Sequence, residues 1–223
     1  MLRHAWDISP RQAIELQKRL AGKVRAVGIR GKVRTVAGTD CAFAEDGKRI
    51  IAAAVLCDAE YMEVIATAHV VQPCRFPYVP GLLSFREAPA VIEAVGKLPR
   101  QPGLLICDGQ GLAHPRGLGL ASHVGLWLNM ATIGAAKSRL CGEHRDVGNR
   151  RGCRAQLRHE GRVVGAVLRT RSGVKPLYVS VGHRVTLDDA VRWVLRCCRS
   201  VRLPEPTRRA HQLVSRLKAA GVQ

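Results

Sequence analysis

Asp40, Glu87 and Asp108 are the side chains whose types and positions first suggest chemistry. Asp40 closes the first strand-like apolar run, Val33 to Thr39, and Asp108 closes a later one, Gly103 to Cys107. Glu87 falls in the first turns of the helix expected between them. In an open α/β sheet, ligands gather at the carboxyl ends of strands. Three carboxylates brought to one point repel one another, and a cation relieves that repulsion. Oxygen donors suit a hard ion, Mg²⁺ with Mn²⁺ as a substitute, rather than zinc. Such an ion acidifies a bound water and neutralises charge on a phosphate. Taken singly, Asp40 also reads as a turn residue and Glu87 as a charge complementing a helix dipole.

The elements that must carry these residues follow from periodicity. Ser9-Pro10-Arg11-Gln12 reads as a capping box, and Ala13, Leu16, Leu20 and Val24 continue a helical stripe. Val33 to Thr39, Arg49 to Cys57 and Tyr61 to Val71 read as strands joined by short turns, an antiparallel meander. Three prolines forbid regular structure over Pro73 to Pro80. A helix follows, roughly Leu82 to Leu98, then the buried strand Gly103 to Cys107. Ala121 to Asn129 reads as a helix, Ala131 to Ala136 as a strand, and the basic stretch Arg139 to Arg158 as loop. Val163 to Thr170 and Leu177 to Val181 read as strands. Thr186-Leu187-Asp188-Asp189 opens a helix, and another runs from Thr207 to Ala220. An α/β layer with a central mixed sheet flanked by helices is expected. Asp on the first strand, Glu on the following helix and Asp on the fourth strand is the pattern of ribonuclease H-like nucleases, so that fold class is the expectation.

The bulk properties agree. Thirty-six Lys and Arg face 17 Asp and Glu, a formal net charge of +19. That surplus favours a polyanionic partner through counterion release, so a nucleic acid is expected. A basic protein with a solvated face is the plainer alternative. No basic amphipathic helix stands apart to suggest a membrane surface. Eight cysteines include no C-x-x-C pair, and Cys197 and Cys198 are adjacent, which suits reduced thiols in a cytoplasmic protein. Met1 to Pro10 lacks an apolar signal core, and no segment reaches membrane-spanning length. With 47% hydrophobic residues and no linker or repeat, a single domain over 1–223 is expected, acting as a monomer.

Asp108-Gly109-Gln110-Gly111-Leu112-Ala113-His114-Pro115-Arg116 follows a strand and contains G-x-G. A dinucleotide site fails here. His114 replaces the third glycine, Pro115 interrupts the helix, and Asp108 repels a pyrophosphate. A loop whose bare backbone lets a flat base approach fits better. This stretch, continuing to Ala121-Ser122-His123, resembles the signature of the endonuclease V family. So do Pro77 to Glu87, Thr132 to Arg139, Val179 to His183, and Glu205 to His211. Thr39 before the first Asp and Val181 between Ser180 and Gly182 are small departures.

The resemblance implies a ribonuclease H-like fold with Asp40, Glu87 and Asp108 as the metal site. It places Lys137 beside them, to position water or to stabilise phosphorane charge, and His211 as a metal-shell or water contact. Without the motif, Lys137 reads as a surface lysine and His211 as an exposed helical histidine. The Pro77-Tyr78-Val79-Pro80 turn is implied as a wedge filling the stack left by a flipped base. The flipped hypoxanthine would occupy a pocket of Leu83, Gly109, Gly111, His114, Leu120, Gly134 and Leu140. The implied activity is metal-dependent nicking of DNA at the second phosphodiester 3′ to a deaminated base, leaving 3′-hydroxyl and 5′-phosphate ends. The alternatives are an inosine-specific ribonuclease of the same family, a ribonuclease H-like nuclease of other specificity, and a basic binding domain whose acidic site has decayed. The compact chain favours DNA.

Overall fold

The computed structural model describes residues 3–44 and 47–221. Met1 and Leu2, part of the stretch read as lacking a signal core, lie outside them. An eight-stranded sheet runs through the molecule in the order β3-β2-β1-β4-β5-β8-β7-β6. The meander is present as β1 (Thr35–Ala44), β2 (Arg49–Asp58) and β3 (Val64–Pro73), paired antiparallel. Next to β1 lie β4 (Leu104–Cys107) and β5 (Thr132–Ala136), both parallel to it. The far side is antiparallel again, with β6 (Arg154–His159), β7 (Arg162–Leu168) and β8 (Leu177–His183).

Five helices cover the sheet: α1 (Pro10–Ala21), α2 (Leu83–Gly96), α3 (Leu120–Leu128), α4 (Leu187–Cys197) and α5 (Glu205–Ala219). The alternation of β2 shows the layering. Ile50, Ala52, Ala54 and Leu56 pack with Ala88 and Val91 of α2 and Val124 of α3. Their neighbours Ile51, Ala53, Val55 and Cys57 pack with Ala210 and Val214 of α5 on the opposite face. A strand buried on both faces has no use for polar residues, which is why Arg49 to Cys57 is almost wholly apolar. The capping boxes form as expected, Ser9 with Gln12 at α1 and Thr186 with Asp189 at α4. Each satisfies amides that the first helical turn leaves without partners.

Three expectations need correction. Asp40 does not end the first strand. β1 continues to Ala44, because its second half pairs with β2 alone after β4 has ended at Cys107 opposite Thr39. Asp40 is thus the first β1 residue past its parallel partner. The stretch Arg139 to Arg158 is not all loop either, since β6 begins at Arg154. β6 is an edge strand on which Arg154, Gln156 and Arg158 are exposed, so it carries charge instead of apolar alternation. The third strand also starts later than Tyr61, at Val64. The Asp58 carboxylate accepts from the amides of Glu60, Tyr61 and Glu63 and holds that turn. Among the described residues, no helix is long and apolar enough to cross a membrane.

Candidate active site

The acidic residues gather around the point where β4 stops, near enough to feel one another's charge. The Asp108 amide donates to the Thr39 carbonyl at 3.2 Å, so the chain leaves the sheet beside Asp40. Asp40 points to the α5 face. There α5 comes so close that a Cβ on Gly38 would lie 2.2 Å from the backbone of Pro206, a contact only glycine permits. That approach brings His211 to the site, with Nδ1 2.6 Å from Asp40 Oδ2. Glu87 reaches in from α2, and Lys137, just past β5, forms an ion pair with Asp108.

The electrostatics are those of crowded carboxylates. Burial lifts Asp40 above the usual carboxylate range, the Asp108 charge lifts it further, and the His211 hydrogen bond offsets part of this. Glu87 is pushed up to about 8, first by burial and then by Asp40 and Asp108. Among the described residues, no three His, Cys, Asp or Glu side chains stand close enough together to form a ready-made metal cage. The donor set still fits a hard cation. Two crowded acids that resist ionisation, on a background of oxygen donors, gain most from a divalent positive charge between them. Lys137 supplies part of that charge to Asp108.

The residues expected around a base fall into three groups. Leu83 and Leu140 are 39% and 48% exposed, apolar side chains held out to solvent. Leu120 is buried, with its side chain against Gly109. Gly111, Gly134 and His114 are packed inside. A Cβ on Gly134 would meet the Gly111 nitrogen at 2.5 Å and the Gly109 oxygen at 2.6 Å. One on Gly111 would meet the Val181 carbonyl oxygen at 2.0 Å. These two glycines let the loop after β4 lie flat on β5 and β8.

His114 ties that loop to the proline turn. Its Nε2 lies 2.9 Å from the Gly81 carbonyl, while Nδ1 accepts from the Arg116 amide at 3.1 Å. The ring therefore carries its proton on Nε2, and burial lowers its pKa to about 4. The same carbonyl accepts from Arg116 Nη2 at 2.7 Å and from Gln17 Nε2 at 3.0 Å. Three donors on one oxygen fix the end of Pro77-Tyr78-Val79-Pro80. Within that turn Val79 packs against the cluster of α1, Leu82 and Phe85, whereas Tyr78 is 73% exposed. The Arg86 guanidinium lies 5.8 Å from the Tyr78 ring centre and 4.6 Å from that of Phe43.

Sequence reading missed the supports. Gln17 looks like one more polar residue on α1, yet it is fully buried and joins α1 to Gly81 and Leu118. Arg202 donates to the carbonyls of Lys137 and Pro176, at 2.8 and 2.9 Å, and so holds the backbone at Lys137. Neither has a local sequence signal. His123 lies fully buried, 3.1 Å from Ser84 Oγ and 2.8 Å from His4 Nε2, and takes no part in the acidic site.

Comparison with known proteins follows the same residues. The sequence model of the endonuclease V family matches residues 17–212. Endonuclease V of Gloeobacter violaceus is 48% identical over 220 residues, covering 97% of this chain and 89% of that protein. The crystal structure of endonuclease V from Streptomyces avermitilis superposes with a TM-score of 0.92 at 43% identity, covering 99% of this chain and 98% of that one. The Ciona intestinalis endonuclease V, solved with a 23mer DNA containing an inosine followed by a ribo-adenosine, shares the fold at a TM-score of 0.81 and 23% identity, over 96% of this chain and 99% of that one. The sheet order, the flanking helices and these matches agree on a ribonuclease H-like fold, and the chain belongs to the endonuclease V family of nucleases, which hydrolyse phosphodiester bonds.

Proposed function

We propose that this chain, as one domain, nicks DNA at the second phosphodiester 3′ to a deaminated base such as hypoxanthine, and so starts repair. The observation that carries this reading is the electrostatic coupling of Asp40, Glu87 and Asp108 around the end of β4, with Lys137 paired to Asp108 and His211 bonded to Asp40. Asp40, Glu87 and Asp108 would hold Mg²⁺, or Mn²⁺ in its place. The bound ion supplies neutralisation of the scissile phosphate and acidity to a nearby water.

The chain's own groups do the rest. An ionised Asp40 can only accept, so His211 Nδ1–H donates to it and Nε2 is left to accept from a water. His211 would thereby orient the attacking water. The Lys137 ammonium, fixed by Asp108 and by the backbone grip of Arg202, would face the charge that builds on the phosphorane oxygens. Tyr78 would enter the stack as the altered base leaves it, while Leu83, Leu120 and Leu140 supply apolar walls and Gly109 a bare backbone edge. Exchanging O6 for an amine reverses a donor and an acceptor at that edge, which would exclude adenine.

The test is a Mg²⁺-dependent nicking assay on matched oligonucleotides carrying one deoxyinosine, one inosine or neither. A nick one nucleotide beyond the deoxyinosine, with the unmodified control intact, is the expected result. Preference for the inosine strand would make the chain a ribonuclease of the same family. Cutting regardless of the base would make it a nuclease of other specificity.

A further inference from the structure

A basic cleft opens beside Lys137. Its walls carry Lys137, Arg139, Arg169, Lys175 and Arg202 against a single carboxylate, Asp146. Tyr178 of β8 is half-buried in the wall and meets the His144 ring edge-on, with centres 5.8 Å apart. The sheet order places this cleft. Asp40 stands on β1 and Asp108 at the end of β4, Lys137 follows β5, and Tyr178 lies on β8. The cleft thus continues the line of the acidic site, away from the Tyr78 turn, whose ring lies under Arg86, the same guanidinium that covers Phe43 of β1. Lys137 belongs to both.

Two of the cations are built in. Arg169 donates to the carbonyls of Gly148 and Val147, at 3.1 and 2.9 Å. Arg202 bridges Lys137 and Pro176, and its Nε is buried with no partner among the described residues. Their side chains are held in place while their positive charge remains. Arg139 and Lys175 are different. Both are exposed, and neither has a hydrogen-bond or ion-pair partner among the described residues. Fixed cations, free cations and a flat ring in one groove match the needs of a single strand, whose phosphates seek charge and whose bases seek a stacking face. An acidic protein segment would use the charge and leave the Tyr178 and His144 rings without a role.

We propose that this cleft is a second subsite, gripping the phosphodiester backbone of the cut strand beyond the scissile bond. The proposal rests on the nicking reading for the direction of the strand. With the altered base at the Tyr78 side and the cut 3′ to it, the strand in the cleft is the 3′ arm. Arg139 and Lys175 close on its phosphates, and Tyr178 offers a base its face.

Metal-free binding separates this from catalysis. Fluorescence anisotropy would compare the intact protein with the double variant Arg139→Ser and Lys175→Ser. The probes are single strands carrying one deoxyinosine and a 3′ arm of about two or about ten nucleotides, spanning the usual site sizes. The intact protein should bind the long-armed strand more tightly, and the double variant should lose most of that gain. Its salt dependence on the long arm should also fall by about 1.4 in logarithmic slope, from two lost contacts at about 0.7 each on single strands. An arm-length gain equal in both proteins would overturn the proposal. So would equal weakening on both arms, which means diffuse charge and not a groove. Lengthening the 5′ arm instead should leave the variant's deficit unchanged, and a deficit that grows with the 5′ arm would overturn the assignment. Strands with and without deoxyinosine keep the questions apart, because loss of lesion preference would defeat the nicking reading while the arm-length comparison still stands.

Discussion

His211 Nδ1 and Asp40 Oδ2 stand 2.6 Å apart, joining α5 to β1 across 171 positions of sequence. The bond makes the α5 histidine part of the acidic site and dictates which ring nitrogen faces outward. If Nε2 orients water, His211→Ala should slow single-turnover nicking by about 10- to 100-fold, the usual scale for a residue that orients a metal-site group. His211→Gln, which can restore one hydrogen bond, should recover part of the loss. Nicking unchanged in His211→Ala would reduce the pair to a helix-docking contact.

Removal of a carboxylate should be more severe. Asp40→Ala or Asp108→Ala should abolish nicking and leave binding to a deoxyinosine strand largely intact, because the apolar walls lie on other residues. Mg²⁺ should raise the thermal midpoint of the intact protein and not that of these variants, since a ligand stabilises only the state that binds it. A variant that still turns over at the intact rate would remove Asp40 and Asp108 from the proposed site.

The triple-accepted Gly81 carbonyl gives a different kind of prediction. His114→Ala deletes one donor and opens a hole beneath the proline turn, while Arg116 and Gln17 remain on the same oxygen. A lost buried hydrogen bond costs about 0.5–1.5 kcal/mol, and the cavity adds to it. The thermal midpoint should fall, and preference for the altered base should fall with it as Tyr78 loses its fixed position. Urea unfolding together with competition binding would show both. A variant that loses stability but keeps its full lesion preference would mean that the latch does not position Tyr78.

These relationships show what local sequence can and cannot carry. Asp40, Glu87 and Asp108 stood out because apolar runs and a helix start frame them, and the Ser9 and Thr186 caps because capping is decided within four residues. β2 was plain because burial on both faces removes polar residues. β6 was not, because an edge strand reading Arg-Ala-Gln-Leu-Arg-His obeys solvent more than the core. The Gly81 latch spans 33, 35 and 64 positions, and the Arg202 grip on Lys137 spans 65. Such contacts depend on which loops the sheet order brings together, and no periodicity records that. Gly111 and Gly134 have a second reason to lack side chains that spacing does not reveal, the close packing of the loop after β4 against β5 and β8.

Acid should destabilise the fold through its buried imidazoles. Burial lowers His123 from 6.5 to about 3, with the His4 charge adding to it, and lowers His114 to about 4. The unfolded chain takes up these protons below about 6.5 and the folded chain does not. Stability from each group is therefore complete above 6.5 and is lost as pH falls toward its folded value, by at most about 1.4 kcal/mol per pH unit. Glu87, raised to about 8, works in the opposite sense between 4.5 and 8, so the useful quantity is a difference between proteins. His123→Asn should flatten the fall in stability between pH 6 and pH 4.5 relative to the intact chain. Parallel slopes would mean that His123 is protonated in the fold.

Tyr78 carries the last prediction. It is 73% exposed, while its neighbour Val79 packs down onto the α1 cluster, so the turn holds one ring out and is anchored beneath it. Extruding a base from a duplex costs a few kcal/mol, and an inserted ring returns about 1–3 kcal/mol of stacking. Tyr78→Ala should therefore weaken binding to a deoxyinosine duplex by about one to two powers of ten. The deficit should shrink on a single strand, where the base is already unstacked. Tyr78→Phe should behave almost as the intact protein, because stacking needs the ring and not the hydroxyl. The Arg86 guanidinium beside the ring adds a control, since Arg86→Ala removes a cation 5.8 Å away without removing the ring. It should cost less than Tyr78→Ala on duplex if the ring itself fills the stack. Equal losses for Tyr78→Ala on duplex and single strand would leave Tyr78 as a stiffener of the turn, with no part in replacing the base.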